Sequence, residues 1–463
     1  MNNSYSDLVQ QTFDFPQEGF QVKNYYLEFN GVNVKELIDK YGTPLRITYL
    51  PKISSQIQNA KMWFRKAMKE VGYKAEYHYC YCTKSSHFRH ILEEVLRNKV
   101  HLETSSGYDI DLIRKLYEQK QVTKEQYVVC NGFKPKSYVS KISKLINDGW
   151  TNVIPILDNK QEIDGYQRQV RGHCNIGIRI ATEEVPTFEF YTSRLGIRWR
   201  DILEYYVQRI HNNPKFSLKM LHFFINSGIK DDAYYWSELN KALNVYCSLK
   251  KICPSLDSIN IGGGFPIRYS LGANYDYQYM VKEIVTQIKN ACKRAKIPVP
   301  NIFTEFGNYT VGEAGAMIYS VVAQKQQNDS ELWYMIDSSF ITTLPDAWGI
   351  GQRFIMLPVN KWENDYQRVN IGGLTCDSHD YYNSEVHINQ VFLPKINGGE
   401  PLYLGFFHTA AYQEQLAGFG GIKHCLLPSP QHVILNFDKN GKLKERIFSR
   451  QQTAASMLKI LGY

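Results

Sequence analysis

The 463-residue chain has no hydrophobic run approaching the length that spans a bilayer, and its opening Met1-Asn-Asn-Ser-Tyr-Ser-Asp7 is polar where a secretory leader is apolar. A cytoplasmic protein with no membrane contact is expected. Cys-x-x-Cys pairs are missing, and nine cysteines, an odd number, do not suit a disulfide framework. Cys80 and Cys82 occupy alternate positions of one β-favouring run, so they share a face and read as reduced thiols. No metal is expected at Cys376, since His379 and Asp380 are too adjacent to complete a closed tetrahedral set. Internal repeats and low-complexity linkers are also lacking. The 54 Lys and Arg exceed the 45 Asp and Glu to give a net +9, but they are scattered among the acids along the whole chain. That distribution is a solvated surface and argues against a nucleic-acid partner, and the tyrosines are spread too widely for a stacking platform. What remains is a soluble composition, 43% hydrophobic, on a chain long enough for a barrel and a second domain.

Four segments carry chemistry. Tyr77-His-Tyr-Cys-Tyr-Cys-Thr-Lys84-Ser-Ser is a β-like run of alternating tyrosines with a lysine at its C-terminal tip. In a barrel of alternating strands and helices that tip faces the active site, where desolvation would ready an amine for Schiff-base chemistry; a surface lysine opening a helix is the plain alternative. Ile259-Asn-Ile-Gly262-Gly263-Gly264-Phe265-Pro266 runs from a strand into three glycines whose amides can approach a phosphate, or simply form a tight turn. It has neither dinucleotide-fingerprint spacing nor a Gly-Lys-Ser/Thr ending, so a non-nucleotide phosphate remains. Ile302-Phe-Thr-Glu305-Phe-Gly-Asn308-Tyr309 buries an acid that needs a partner, either an arginine or the pyridine nitrogen of a cofactor. In Gly372-Gly-Leu-Thr-Cys376-Asp377-Ser-His379-Asp380 a thiol able to donate a proton stands beside an acid able to hold a cation; a structural loop cysteine is the alternative.

Taken in order, these motifs resemble the fold-type III pyridoxal-phosphate (PLP) decarboxylases, the ornithine, arginine and diaminopimelate enzymes built on an alanine-racemase-like barrel. The resemblance implies PLP on Lys84 and its phosphate at Gly262, Gly263, Gly264 and Ser227. It further implies Glu305 at the ring nitrogen, His222 stacked on the ring and the Tyr412 hydroxyl on the phosphate. Cys376 would be the proton donor, supplied by the partner subunit of a homodimer or larger assembly with shared sites. Asp377, with Asp337 as a second acid, would hold the distal cation of a small basic amino acid. Asn308 stands where the family has arginine, Phe306 replaces proline, Ala410 replaces glycine, and the segment His222-Phe-Phe-Ile-Asn-Ser227 is stretched.

The expected architecture is α/β: an N-terminal segment, 1–50, joining a β-domain; a PLP-binding (β/α)8 barrel, 51–320; and a C-terminal β-sandwich or barrel, 321–463. Seven barrel strands are read, at Glu76–Tyr81, Tyr127–Cys130, Val153–Asp158, Asn175–Ile180, Lys219–Ile225, Ser258–Ile261 and Asn301–Glu305. The resemblance implies decarboxylation of a basic L-amino acid. Arginine to agmatine, in polyamine biosynthesis, is favoured by Asp377 after the cysteine, by Thr192–Gly196 and by the long Leu221–Leu239 stretch. Ornithine, lysine, diaminopimelate and carboxynorspermidine are the other substrates the family offers, and a non-catalytic binding homologue is the other class.

Overall fold

Eight short, largely buried runs lie between helices, the pattern of strands that pair in parallel and are covered by helices. In the computed structural model, which describes residues 4–183, 190–382 and 391–463, they are β1 (Tyr77–Cys82), β2 (His101–Thr104), β3 (Val128–Cys130), β4 (Val153–Leu157), β5 (Cys174–Ala181), β6 (Phe216–His222), β7 (Ser258–Asn260) and β8 (Asn301–Phe306). Every neighbouring pair is parallel, and β8 pairs with β1 to close the barrel. Its interior is filled by Cys80, Val129, Ile154, Ile156, Met220 and Phe303. Cys80 thus faces inward, while the flanking Tyr79 and Tyr81 are buried on the other face, with hydroxyls on Thr310 and the Ser86 carbonyl.

Seven of the eight strands fall where the alternation placed them. The eighth, β2, went unread because His101-Leu-Glu-Thr104 has a single aliphatic residue and so forms no apolar run between the helices Arg89–Arg97 and Gly107–Glu118.

The chain divides into two compact units, one of 53–266 and 275–310 that holds the barrel, the other of 1–52, 267–274 and 311–463. In the second unit a long strand, Gly315–Asn328, pairs with Glu331–Ile336 and Tyr403–Phe407. The N-terminal segment enters this sheet through Leu45–Tyr49, which lies between Gly315–Ile318 and Gln431–Leu435. The more obvious strand, Tyr26–Phe29, pairs instead in a small separate sheet with Phe20–Lys23 and Val32–Asn33. Among the described residues no helix is long and apolar enough to cross a membrane.

Near the start of β1 and β2 two imidazoles meet: His78 Nδ1 lies 3.2 Å from His101 Nε2, with His78 stacked on Phe303. Burial, followed by the neighbouring His78, lowers the His101 pKa from 6.5 to about 3. The native protein therefore cannot take up a proton that the unfolded chain binds, and stability falls as pH drops from 6.5 toward 3. Replacing His101 by Gln should remove that contribution, which amounts to about 2–3 kcal/mol near pH ~4.5. Urea unfolding of both proteins at neutral and acid pH checks this, and equal acid losses would refute it.

Candidate active site

The C-terminal tips of the barrel strands converge on two buried carboxylates. Glu305, in β8, is 6% exposed, and no arginine or lysine among the described residues bonds it directly. Asn260, the last residue of β7, donates to its Oε1 at 2.6 Å, and Asn131, just after β3, donates to Oε2 at 2.9 Å. His222, the last residue of β6, brings Nε2 to 3.3 Å from Oε2. Burial acts to raise the Glu305 pKa, but His222, Lys84 and Asn131 outweigh it and hold the group below the usual range, as a carboxylate.

The second carboxylate, Glu103 of β2, has a fully buried side chain and takes a 2.8 Å bond from Lys84 Nζ. Its other oxygen accepts from Ser105 Oγ at 3.0 Å and from Asn131 Nδ2 at 3.1 Å. Asn131 therefore bridges the two acids, and Lys84, Glu103, Asn131, Glu305, Asn260 and His222 form one network contributed by six strands. Lys84 follows β1 on a 3-10 turn, Thr83–Ser85, whose Thr83 hydroxyl donates to the Glu103 carbonyl at 3.0 Å. The desolvation expected of this lysine is not found: its side chain is 45% exposed, and a buried carboxylate orients the amine instead.

The glycine loop is stitched to the same strand. The Glu305 amide donates to the Gly262 carbonyl at 2.8 Å, and a Cβ on Gly263 would lie 2.2 Å from the Glu305 carbonyl oxygen. Gly262 and Gly264 have φ of 69° and 101°, conformations that side chains disfavour. Gly228 packs on Gly264, with the Ile229 amide donating to the Gly264 carbonyl at 2.8 Å, and so brings Ser227 to this loop. Phe265 stacks on Phe306 at 4.4 Å, which accounts for an aromatic residue at 306.

Sites expected from sequence therefore separate by unit. Lys84, His222, Ser227, Gly262, Gly263, Gly264 and Glu305 gather at one end of the barrel. Cys376, Asp377, Asp337 and Tyr412 belong to the β unit. Cys376 and Asp377 lie on a turn fastened by Asp380, which accepts from the Thr375 hydroxyl at 2.7 Å and from the Phe340 amide at 2.9 Å. The Cys376 thiol is exposed, and its contact with Cys425 keeps it protonated to a higher pH than usual. Asp377 Oδ1 accepts from the His379 amide at 2.8 Å, which, with the His379 ring, favours its ionised form. Burial raises the Asp337 pKa, and its oxygens accept from the Ser320 amide at 3.1 Å and hydroxyl at 3.0 Å. Tyr412 has φ 67° and ψ −33°, a sparsely populated backbone state of the kind that gathers at functional positions.

Three network members escaped the sequence reading. Glu103 was hidden with β2, although Ser106-Gly-Tyr-Asp109 is a capping box that marks a helix start and leaves room for a strand before it. Asn131 and Asn260 end ordinary strands, and nothing local distinguishes an amide that will meet a distant acid.

The donor set fits a phosphorylated pyridine cofactor. Among the described residues the buried His222 Nδ1 and the buried Ser227 Oγ meet no hydrogen-bond partner, beside a glycine loop built for close approach and a carboxylate held ionised. A parallel barrel whose one end gathers a lysine, a buried ionised acid and a glycine loop fits the class of barrel enzymes that carry a covalently held aldehyde cofactor. The chain belongs to the pyridoxal-dependent decarboxylases: residues 54–312 match the pyridoxal-binding domain of that family. It is 22% identical to biosynthetic arginine decarboxylase 2 of Synechocystis sp., over 81% of this chain and 75% of the relative. Its fold resembles the biosynthetic arginine decarboxylase SpeA of Campylobacter jejuni with a TM-score of 0.81 at 21% identity, covering 99% of this chain and 90% of that one. It also resembles a diaminopimelate decarboxylase of Helicobacter pylori, with a TM-score of 0.71 at 16% identity over 93% and 99% of the two chains.

Borohydride reduction of the PLP-loaded protein should fix the pyridoxyl group on Lys84, since only an imine yields a stable secondary amine. Peptide mapping reads the outcome, and a label on another lysine would exclude Lys84.

Proposed function

We propose that this decarboxylase acts on arginine, with PLP held by the barrel residues and the substrate's distal cation held by Asp377. The observation that carries the cofactor part is the Asn131-bridged pair Glu103 and Glu305, which puts an oriented lysine and an ionised acid at one barrel end. When bound, PLP supplies an electron sink that takes up the electron pair left by the departing carboxylate. Glu305, held as an anion by two amides and an imidazole, would keep a proton on the ring nitrogen. His222 would hold the ring, the Gly262–Gly264 amides and Ser227 would hold the phosphate, and the Tyr412 hydroxyl would add a contact there. Lys84 would be the amine that holds the cofactor.

Cys376 Sγ then delivers its proton to the substrate α-carbon. Its raised pKa supports this, since a thiol protonated at neutral pH can act as an acid. The arginine part rests on two supports. The curated relatives are biosynthetic arginine decarboxylases, and Asp377, ionised beside the thiol, offers a carboxylate that a guanidinium can bind through two nitrogens. Asp337, largely occupied by Ser320, is the second acid of this reading. The intact Lys84, His222 and Glu305 speak against a non-catalytic homologue.

Carbon dioxide release on arginine, ornithine, lysine, meso-diaminopimelate and carboxynorspermidine in parallel tests the substrate. Arginine should lead, and Asp377→Asn should lower its kcat/KM by roughly 30-fold or more. A higher rate on diaminopimelate, or an unchanged arginine rate in the variant, removes the argument from Asp377.

The exposed turn bearing Cys376, together with the family resemblance, supports a homodimer in which Cys376 of the partner subunit completes each site. Mixing inactive Lys84→Ala and Cys376→Ala proteins should then restore part of the activity, since one site of a mixed dimer is intact. Subunit exchange without recovery would exclude shared sites.

A further inference from the structure

Two segments 48 residues apart in the chain meet on the surface of the β unit. One is the turn bearing Cys376, fastened by Asp380; the other is the short turn His424–Leu426, where Cys425 takes a φ of 54°. Cys376 Sγ lies 3.5 Å from Cys425 Sγ and 3.9 Å from His424 Nε2, and all three atoms lie within 4.8 Å of one another. The sulfurs are well beyond the roughly 2.05 Å of a disulfide. Their spacing is instead that of ligands on one ion. Zinc–sulfur bonds of about 2.3 Å and zinc–nitrogen bonds of about 2.0 Å in tetrahedral geometry set neighbouring ligand atoms some 3.5–3.8 Å apart. The Cys376 amide also donates to Cys425 Sγ at 3.5 Å, an outer contact that orients a thiolate ligand.

We propose that Cys376, His424 and Cys425 form a binding site for one thiophilic cation of the Zn2+ class, with the fourth position open. Two thiolates and an imidazole favour such an ion and discriminate against magnesium or calcium, which take oxygen ligands. Near Cys376 itself the sequence offers only His379 and Asp380 as partners; the fold supplies His424 and Cys425 instead. A metal-bound Cys376 carries no proton, so occupancy withdraws the acid assigned above and inhibits the enzyme reversibly. That consequence rests on the proposed role of Cys376, whereas the site itself does not.

The test is a titration of fully reduced holoenzyme with Co2+ alone, read in the long-wavelength d–d bands of tetrahedral thiolate-bound cobalt, clear of the cofactor's absorption. One equivalent per chain should produce the bands. Cys425→Ser should weaken binding by more than the roughly 10–100-fold cost of losing an outer-shell partner, and His424→Gln should weaken it likewise. Absence of the bands in the wild type, or their persistence unchanged in Cys425→Ser, overturns the site. In a parallel activity arm, Zn2+ should inhibit the wild type and a chelator restore it, while Cys425→Ser stays active throughout. Cobalt bands without zinc inhibition would uphold the site and instead count against Cys376 as the proton donor.

Discussion

A carboxylate shut away from water and held by two amides and an imidazole is the constraint on which the barrel end depends. Glu305 stays ionised because β3, β6 and β7 each present a polar side chain to it at strand-end positions. An unpaired buried charge is costly, so these contacts also fix the register of four strands relative to one another. The same amide that steadies Glu305 steadies Glu103, and through Glu103 the amine of Lys84. Orientation of the lysine is thus linked through Asn131 to the acid of the neighbouring strand.

The β unit solves a different problem. Cys376 and Asp377 sit on a turn, not on a strand tip, and that turn is organised by an acid with no assigned chemistry, Asp380. Asp380 ties the Cys376 turn to the segment starting at Phe340, and the Leu374 amide bonds the Ser338 carbonyl, next to Asp337. A single loop thereby carries the thiol, the adjacent Asp377 and the link to the second acid.

Much of this was legible in the sequence because parallel barrel strands are apolar on both faces and their tips end in distinctive residues. Lys84, Gly262–Gly264 and Glu305 are each marked by an apolar run that stops abruptly, and their order along the chain suffices to suggest the family. What stayed hidden has physical reasons. β2 has a single aliphatic residue and forms no apolar run, and Glu103 went with it. Leu45–Tyr49 lies inside its sheet yet nothing local marks it, because its partners lie hundreds of residues away. Asn131, Asn260, His424 and Cys425 are common residue types whose significance comes only from what the fold brings beside them.

The pairing of Thr48 with His432, 384 residues apart and joined by a 2.8 Å side-chain bond, bears on how the protein is made. Leu45–Tyr49 has an almost fully buried pattern, but one of its neighbouring strands leaves the ribosome only some 384 residues later. The barrel, whose strands all lie between Tyr77 and Phe306, can close while that edge is still open. Synthesis therefore imposes an order: the cofactor-binding half matures first, and the nascent β unit passes through a long interval with an exposed, adhesive strand. Such long-range closure is slow, and it makes this unit the aggregation-prone step of biogenesis.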